Sequence, residues 1–235
     1  MMIEAKLEGT LAKTTAKGKS NTQHALAVLK NLILDNRLAS GSNHLESELA
    51  EMLGMSRTPV REATLILEAQ GLVEVKPRRG VRILPISPED MTEIYDILTE
   101  LESLSAQLAA QKKYEESAFE VAEEAIQNMD NALAREDREA WAMADEVFHK
   151  ELIRLGGNRR IAKICQIYND QVHRARNLTL NLRPKPTKSN DDHRKVLDAI
   201  RKGDAQKAWQ IHRTHRLQAK NMLVSLLEKY GFHNV

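Results

Sequence analysis

One short segment of this 235-residue chain alternates like a β-hairpin, and nothing after it does. Leu72-Val73-Glu74-Val75, then Lys76-Pro77-Arg78-Arg79-Gly80, then Val81-Arg82-Ile83-Leu84 reads as two short strands around a basic turn closed by Gly. Elsewhere the apolar residues recur at helical spacing. A sandwich or barrel needs many turns, and ten Gly with six Pro are too few to supply them. The chain therefore reads as mostly α. Cys165 is the only cysteine, which argues against a secreted disulfide scaffold. No apolar run is long enough for a membrane span or a signal peptide, so a cytoplasmic protein with no membrane partner is expected.

Upstream of the hairpin, residues 1–20 read as a polar, mobile tail. A first helix starts near Thr22 and carries Leu26, Leu29, Ile33 and Leu34. Asn43 with Glu46 three residues on resembles a capping box for a second helix, which buries Leu49, Met52 and Leu53 and ends at Gly54. A third runs from Arg57 to Gln70, with Val60, Ala63, Ile66 and Leu67 inward and Gly71 as terminator. Three helices and a basic hairpin make a winged helix-turn-helix. Its turn, Gly54-Met55-Ser56, presents Ser56, Arg57, Thr58 and Arg61 to a major groove, while Arg78, Arg79 and the Gly80 backbone form the wing. Charge agrees: residues 1–85 balance at +3 and residues 86–235 at −1.

The run from Leu49 to Ala63, with its Ser56-Arg57-Thr58-Pro59-Val60-Arg61-Glu62-Ala63 core, and then Leu67 to Val73, resembles the GntR family of bacterial transcription regulators. That resemblance covers about residues 22–84. It implies operator contacts by Arg57, Thr58, Arg61 and the wing; Ser47 stands where some members carry a DNA-contacting Arg.

After the linker Pro85-Ile86-Ser87-Pro88, helices are expected at about 88–111, 115–135, 138–155, 158–180, 190–202 and 205–229. Six helices with short connections form an antiparallel bundle. The division is thus 1–20 tail, 21–85 DNA-binding unit and 86–235 helical unit. Asp145 and His149 share a helix face at i,i+4. His193 and His215 flank Gly203 at ~15 and ~18 Å along two helices, so antiparallel pairing brings them level. One carboxylate and three imidazoles suit a divalent ion such as Zn²⁺, Ni²⁺ or Mn²⁺, with His212 a competitor for His215.

Residues 88–229 resemble the FCD ligand-binding domain of the FadR-type branch, through Tyr95–Glu102, Ala106–Ala110, Asp145–His149, Gly157-Asn158 and His193 to His215. The resemblance implies a metal held by Asp145, His149, His193 and His215, and a small organic acid completing its coordination. Leu98 stands where many members carry an Arg, which turns attention to His173, Arg174 and Arg176 as anion partners. Trp141, Trp209, Tyr168 and Cys165 read as core packing. The implied function is a homodimeric, ligand-responsive regulator of a pseudo-palindromic DNA operator. Two rivals are a metallohydrolase using the same four ligands, with Glu102 or Glu146 as base, and a nucleoid-type DNA binder without effector.

Overall fold

The computed structural model describes residues 20–231; the expected tail lies outside the described residues except for Ser20. Among the described residues the order is α1 (Asn21–Leu34), β1 (Asn43–His44), α2 (Glu46–Leu53), α3 (Arg57–Ala69), β2 (Val73–Lys76) and β3 (Gly80–Ile83). There follow α4 (Pro88–Ala110), α5 (Glu120–Ala134), α6 (Arg138–Gly156), α7 (Arg159–Leu178), α8 (Thr187–Arg201) and α9 (Ala205–Lys229). Short 3-10 turns at Glu116–Phe119 and Leu180–Leu182 complete it. A winged helix-turn-helix precedes a six-helix bundle.

Local chemistry sets most boundaries. The Ser20 hydroxyl accepts from the Gln23 N–H and opens α1, while Ser87 accepts from Asp90 N–H and opens α4, with Pro88 at its first position. The start of α2 differs from the sequence expectation. Asn43 does not cap it, because Asn43 and His44 are drawn into a strand opposite Arg82 and Val81. The helix begins two residues later, after Leu45, and Glu48 reaches back to accept from the Leu45 N–H. The hairpin is thereby a three-stranded sheet of order β1-β3-β2. Met52 and Ile66, expected inside, are 44% and 39% exposed, because they fall at the edges of their helices' apolar faces.

Three apolar clusters hold the molecule. Leu29, Leu49, Val60, Leu67, Leu72 and Ile83 centre the N-terminal unit. Met129, Phe148, Leu152 and Leu197 join α5, α6 and α8. Tyr95, Leu98, Ile153, Cys165 and Leu223 join α4, α6, α7 and α9. The two halves meet along α7. Its Gln171 side chain donates to the Gln70 carbonyl at 3.0 Å, Arg174 donates to the Leu84 carbonyl at 2.6 Å, and Asp170 pairs with Lys30.

Glycine is required at the wing for two reasons. Gly80 has φ +89°, and a Cβ there would lie 2.3 Å from the His44 carbonyl oxygen. Gly54 has φ +63° but open space around it. Gly54→Ala therefore meets only backbone strain, roughly 1 kcal/mol, whereas Gly80→Ala adds a clash with β1 and is expected to cost about 1–3 kcal/mol more. Urea unfolding of both variants checks this; equal losses would refute the steric account.

Candidate functional site

The N-terminal candidates sit on one exposed face. Gly54 in the left-handed region ends α2, and the next two residues turn the chain into α3. Pro59 falls in the first turn of α3, where its missing N–H costs nothing. Ser56, Arg57, Thr58 and Arg61 are all exposed, and the Ser56 side chain makes no capping bond. Arg57 approaches Glu46 only at 3.8 Å with its side chain 71% exposed, so its guanidinium is available. In the wing the Arg79 N–H donates to the Lys76 carbonyl at 2.9 Å, and Arg78 takes φ +63° at the tip. Arg78 and Arg79 project to solvent; Gly80 is half-buried against β1, so its contribution is to the wing's shape.

The bundle half brings the sequence-selected histidines together. Asp145 and His149 on α6 meet His193 on α8 and His215 on α9. Ring centroids are 5.2 Å apart for His149–His193, 4.7 Å for His193–His215 and 5.8 Å for His149–His215. Each of the three offers a nitrogen within 4.8 Å of the other two. Asp145 Oδ1 lies 3.6 Å from His193 Nε2, and its Oδ2 lies 3.8 Å from His149 Nε2.

Carboxylates outside this ring orient it. Glu102 on α4 is fully buried and accepts from His149 Nδ1 at 2.8 Å and from His212 Nε2 at 3.2 Å. Asp192 stands 3.7 Å from His215 Nδ1. Burial alone would raise the Glu102 carboxyl, but Arg216, His149 and His212 outweigh it and hold it well below the usual carboxylate range. Burial likewise opposes ionisation of Asp145, and Arg176 with the histidines overcomes it. An ionised carboxylate only accepts, so the proton of His149 sits on Nδ1 and Nε2 is left as an electron-pair donor. Burial and neighbouring imidazoles lower His193 and His215 below the usual histidine range, and His212 to about 3. His193, His212 and His215 are therefore neutral near pH 7.

His193 provides the test of fit to a metal. It is fully buried, and neither ring nitrogen has a hydrogen-bond partner. An orphaned buried polar atom costs about 1–3 kcal/mol, which coordination to a cation would remove. Three imidazoles around an anionic carboxylate are the donor set of a first-row divalent ion. The residues present fit one.

Beside this cluster opens a cavity of about 420 Å³, walled by α6, α8, α9 and the 180–186 connection. Trp141, read as core, is 6% exposed and also lines the cavity, donating from Nε1 to Asn190 Oδ1 at 2.8 Å. Arg176 lines it and is ion-paired with Asp145. The other two proposed anion partners do not face it. Arg174 turns to the Leu84 carbonyl at the joint between the halves, and His173 pairs with Glu146 at 3.1 Å beside a separate void of about 30 Å³. Arg174 lies two positions before Arg176 and so points to another side of the helix, whereas His173, three positions before it, shares the smaller void with Arg176. Leu98 is fully buried among apolar neighbours and contributes no polar group. Sequence pattern does not single out Arg183, Arg216 or Asp192, all of which line the cavity. The two candidate bases of the hydrolase reading are both engaged, Glu102 by His149 and His212, Glu146 by His173 and Lys150.

A family model for bacterial regulatory proteins of the gntR family matches residues 21–83, and one for the FCD domain matches residues 93–218. The chain belongs to the GntR family. It is similar to an uncharacterized HTH-type transcriptional regulator in the TAR-I ttuE-ttuC′ intergenic region of Agrobacterium vitis, 37% identical over 145 residues, which are 61% of this chain and 85% of the relative. It is also similar to one in an unstable DNA locus of Streptomyces ambofaciens, 30% identical over 205 residues, 84% of this chain and 83% of the relative. The fold matches E. coli McbR/YncC with a TM-score of 0.73 at 20% identity, over 91% of this chain and all of that one. This GntR-family chain is thus a DNA-binding transcription regulator with an FCD domain, and the hydrolase rival falls away. No helix among the described residues is long and apolar enough to cross a membrane.

The orphaned His193 nitrogens give a sharp expectation. In metal-free buffer with chelator, His193→Phe should unfold no more readily than the parent, and up to about 1–3 kcal/mol less so, since it removes unsatisfied atoms beside Phe148. Added Zn²⁺ should raise the melting temperature of the parent and leave the variant unmoved. A parent that Zn²⁺ does not stabilise would count against the metal centre.

Proposed function

We propose that this regulator reads a pseudo-palindromic operator as a homodimer, and that a small organic acid, bound with a divalent metal in the helical unit, sets its DNA affinity. The reading assigns residues 21–85 to DNA and residues 86–235 to metal and effector. Ser56, Arg57, Thr58 and Arg61 read the major groove, while Arg78, Arg79 and the Gly80 backbone engage the adjacent minor groove or phosphates. Asp145, His149, His193 and His215 hold Zn²⁺, Ni²⁺ or Mn²⁺. The observation that carries the effector half is a cavity whose wall includes Asp145, His149 and His215 of the cluster. A bound divalent ion would offer an open position to a carboxylate oxygen. Around it, Glu102 orients His149 and Arg176 keeps Asp145 ionised.

Helix α7 supports the coupling. Arg176 touches the site, while Gln171 and Arg174 on the same helix hold the end of α3 and the linker. An effector can shift operator affinity by no more than its differential affinity for the DNA-competent arrangement.

Gel-shift titration on promoter DNA next to its own gene tests the DNA half. Arg57→Ala and Arg61→Ala are each expected to weaken specific binding by roughly 5- to 150-fold, the loss of one bidentate contact. The same titration with metal, with candidate acids and with both reads the effector half. Operator affinity indifferent to every metal and acid combination would defeat it.

A further inference from the structure

Among the described residues four histidines are buried, and His212 is the one that the proposed metal set leaves unused. Its ring centroid lies 5.4 Å from that of His149, and its Nε2 stands 3.2 Å from Glu102 Oε2. His149 Nδ1 reaches the same oxygen at 2.8 Å. Two imidazole nitrogens, one from α6 and one from α9, therefore converge on a single carboxylate oxygen of α4. Resting on the proposed metal centre, we infer that Glu102, His149 and His212 hold a second divalent cation, filled after the first, with His149 bridging the two through its opposite ring nitrogens.

One oxygen and two nitrogens from these three side chains all lie within 4.8 Å of one another. A four-coordinate Zn²⁺ holds its N and O ligands at about 2.0–2.2 Å, which sets them ~3.3–3.6 Å apart. The two contacts to Glu102 need only a small opening to reach that spacing. As a purely hydrogen-bonded arrangement the trio is poorly satisfied. Both imidazoles aim a proton at Oε2, while Glu102 Oε1 and His212 Nδ1 have no hydrogen-bond partner. Arg216 Nη2 stands 3.5 Å from Oε1, so guanidinium and cation take different oxygens of the carboxylate. Room for a fourth ligand exists as well. The void of about 30 Å³ touches Glu102 and His149, and a buried water needs only about 10–15 Å³.

His149 sets the order of filling. Its Nε2 lies on the Asp145 side and serves the first cation, while its Nδ1 carries a proton toward Glu102. With Nε2 coordinated the ring is electron-poor, and the second cation displaces the Nδ1 proton to solvent, leaving a bridging imidazolate. His212 loses no proton. It moves from Nε2 to Nδ1, the nitrogen that lacks a partner. Each cation then has one carboxylate of its own, Asp145 for the first and Glu102 for the second. Imidazole donors suit Zn²⁺ and Cu²⁺, whereas Mg²⁺ prefers all-oxygen sites.

The test counts zinc bound by the full chain, by elemental analysis after gel filtration and by calorimetric titration with Zn²⁺ alone. The parent is expected to hold two equivalents, taken up in two steps. His212→Gln and Glu102→Gln should each hold one, because each keeps a hydrogen-bonding side chain and loses a ligand. His193→Phe should hold none, since the second position fills only behind the first. The parent's second step should release one proton, read by repeating the titration in buffers of different ionisation enthalpy. That measurement needs no variant, and circular dichroism in chelator verifies that the variants fold. One equivalent in both the parent and His212→Gln overturns the second position and leaves the metal centre standing. Two equivalents that survive His212→Gln, or a second step without proton release, also overturn it. A single equivalent that His212→Gln removes, or a parent that holds no zinc, defeats the second position and the assigned metal centre together.

Discussion

Everything in the C-terminal half is arranged around a set of polar groups that the bundle buries together. Four imidazoles and two carboxylates lie in a space that apolar side chains would otherwise fill. Each carboxylate is held ionised against burial by a guanidinium from another helix, Arg176 on α7 for Asp145 and Arg216 on α9 for Glu102, together with the neighbouring imidazoles. Burial, acting against those carboxylates, lowers His193, His212 and His215. Because every such pair joins two different helices, the same interactions that tune the cluster also fix how α4, α6, α7 and α9 pack. Buried pairs of this kind seldom add net stability, so their presence points to a use other than holding the fold. The apolar clusters around Phe148 and Tyr95 supply the stability instead.

The joint between the halves follows from the same geometry. Helix α7 places Arg176 on the bundle's interior, and residues two and five positions earlier on surfaces that meet the linker and the recognition helix. Arg174 is lowered to about 10 by burial and donates to one carbonyl, leaving Nε and Nη2 unpartnered. Such a contact is specific without being strong. A shift of α7 by a fraction of a turn would break the Arg174–Leu84 and Gln171–Gln70 bonds together, since one rigid helix carries both. Under the proposed coupling, one helix and three side chains, Gln171, Arg174 and Arg176, connect the histidine cluster to the N-terminal unit.

How far this was legible in the sequence depends on how local each feature is. The face proposed to read DNA is written on one helix and one turn: Gly54, Ser56, Arg57 and Gly80 lie within 27 residues, and their conformation and exposure follow from the local sequence. The histidine cluster was legible too, because i,i+4 spacing and equal distances from Gly203 are arithmetic on helix rise. The start of α2 was not, since Asn43 has good capping chemistry and is claimed by a strand in which its partner, Arg82, stands 39 residues on in sequence. Trp141 illustrates a different limit: apolar spacing shows that it points inward, and only the packing reveals that inward is also the cavity wall. Arg183 and Arg216 are the least legible of all. In the sequence they are two of many arginines, one beside a proline and one beside a histidine. What distinguishes them is their place on the cavity wall, a property of the assembled fold that no spacing rule can express.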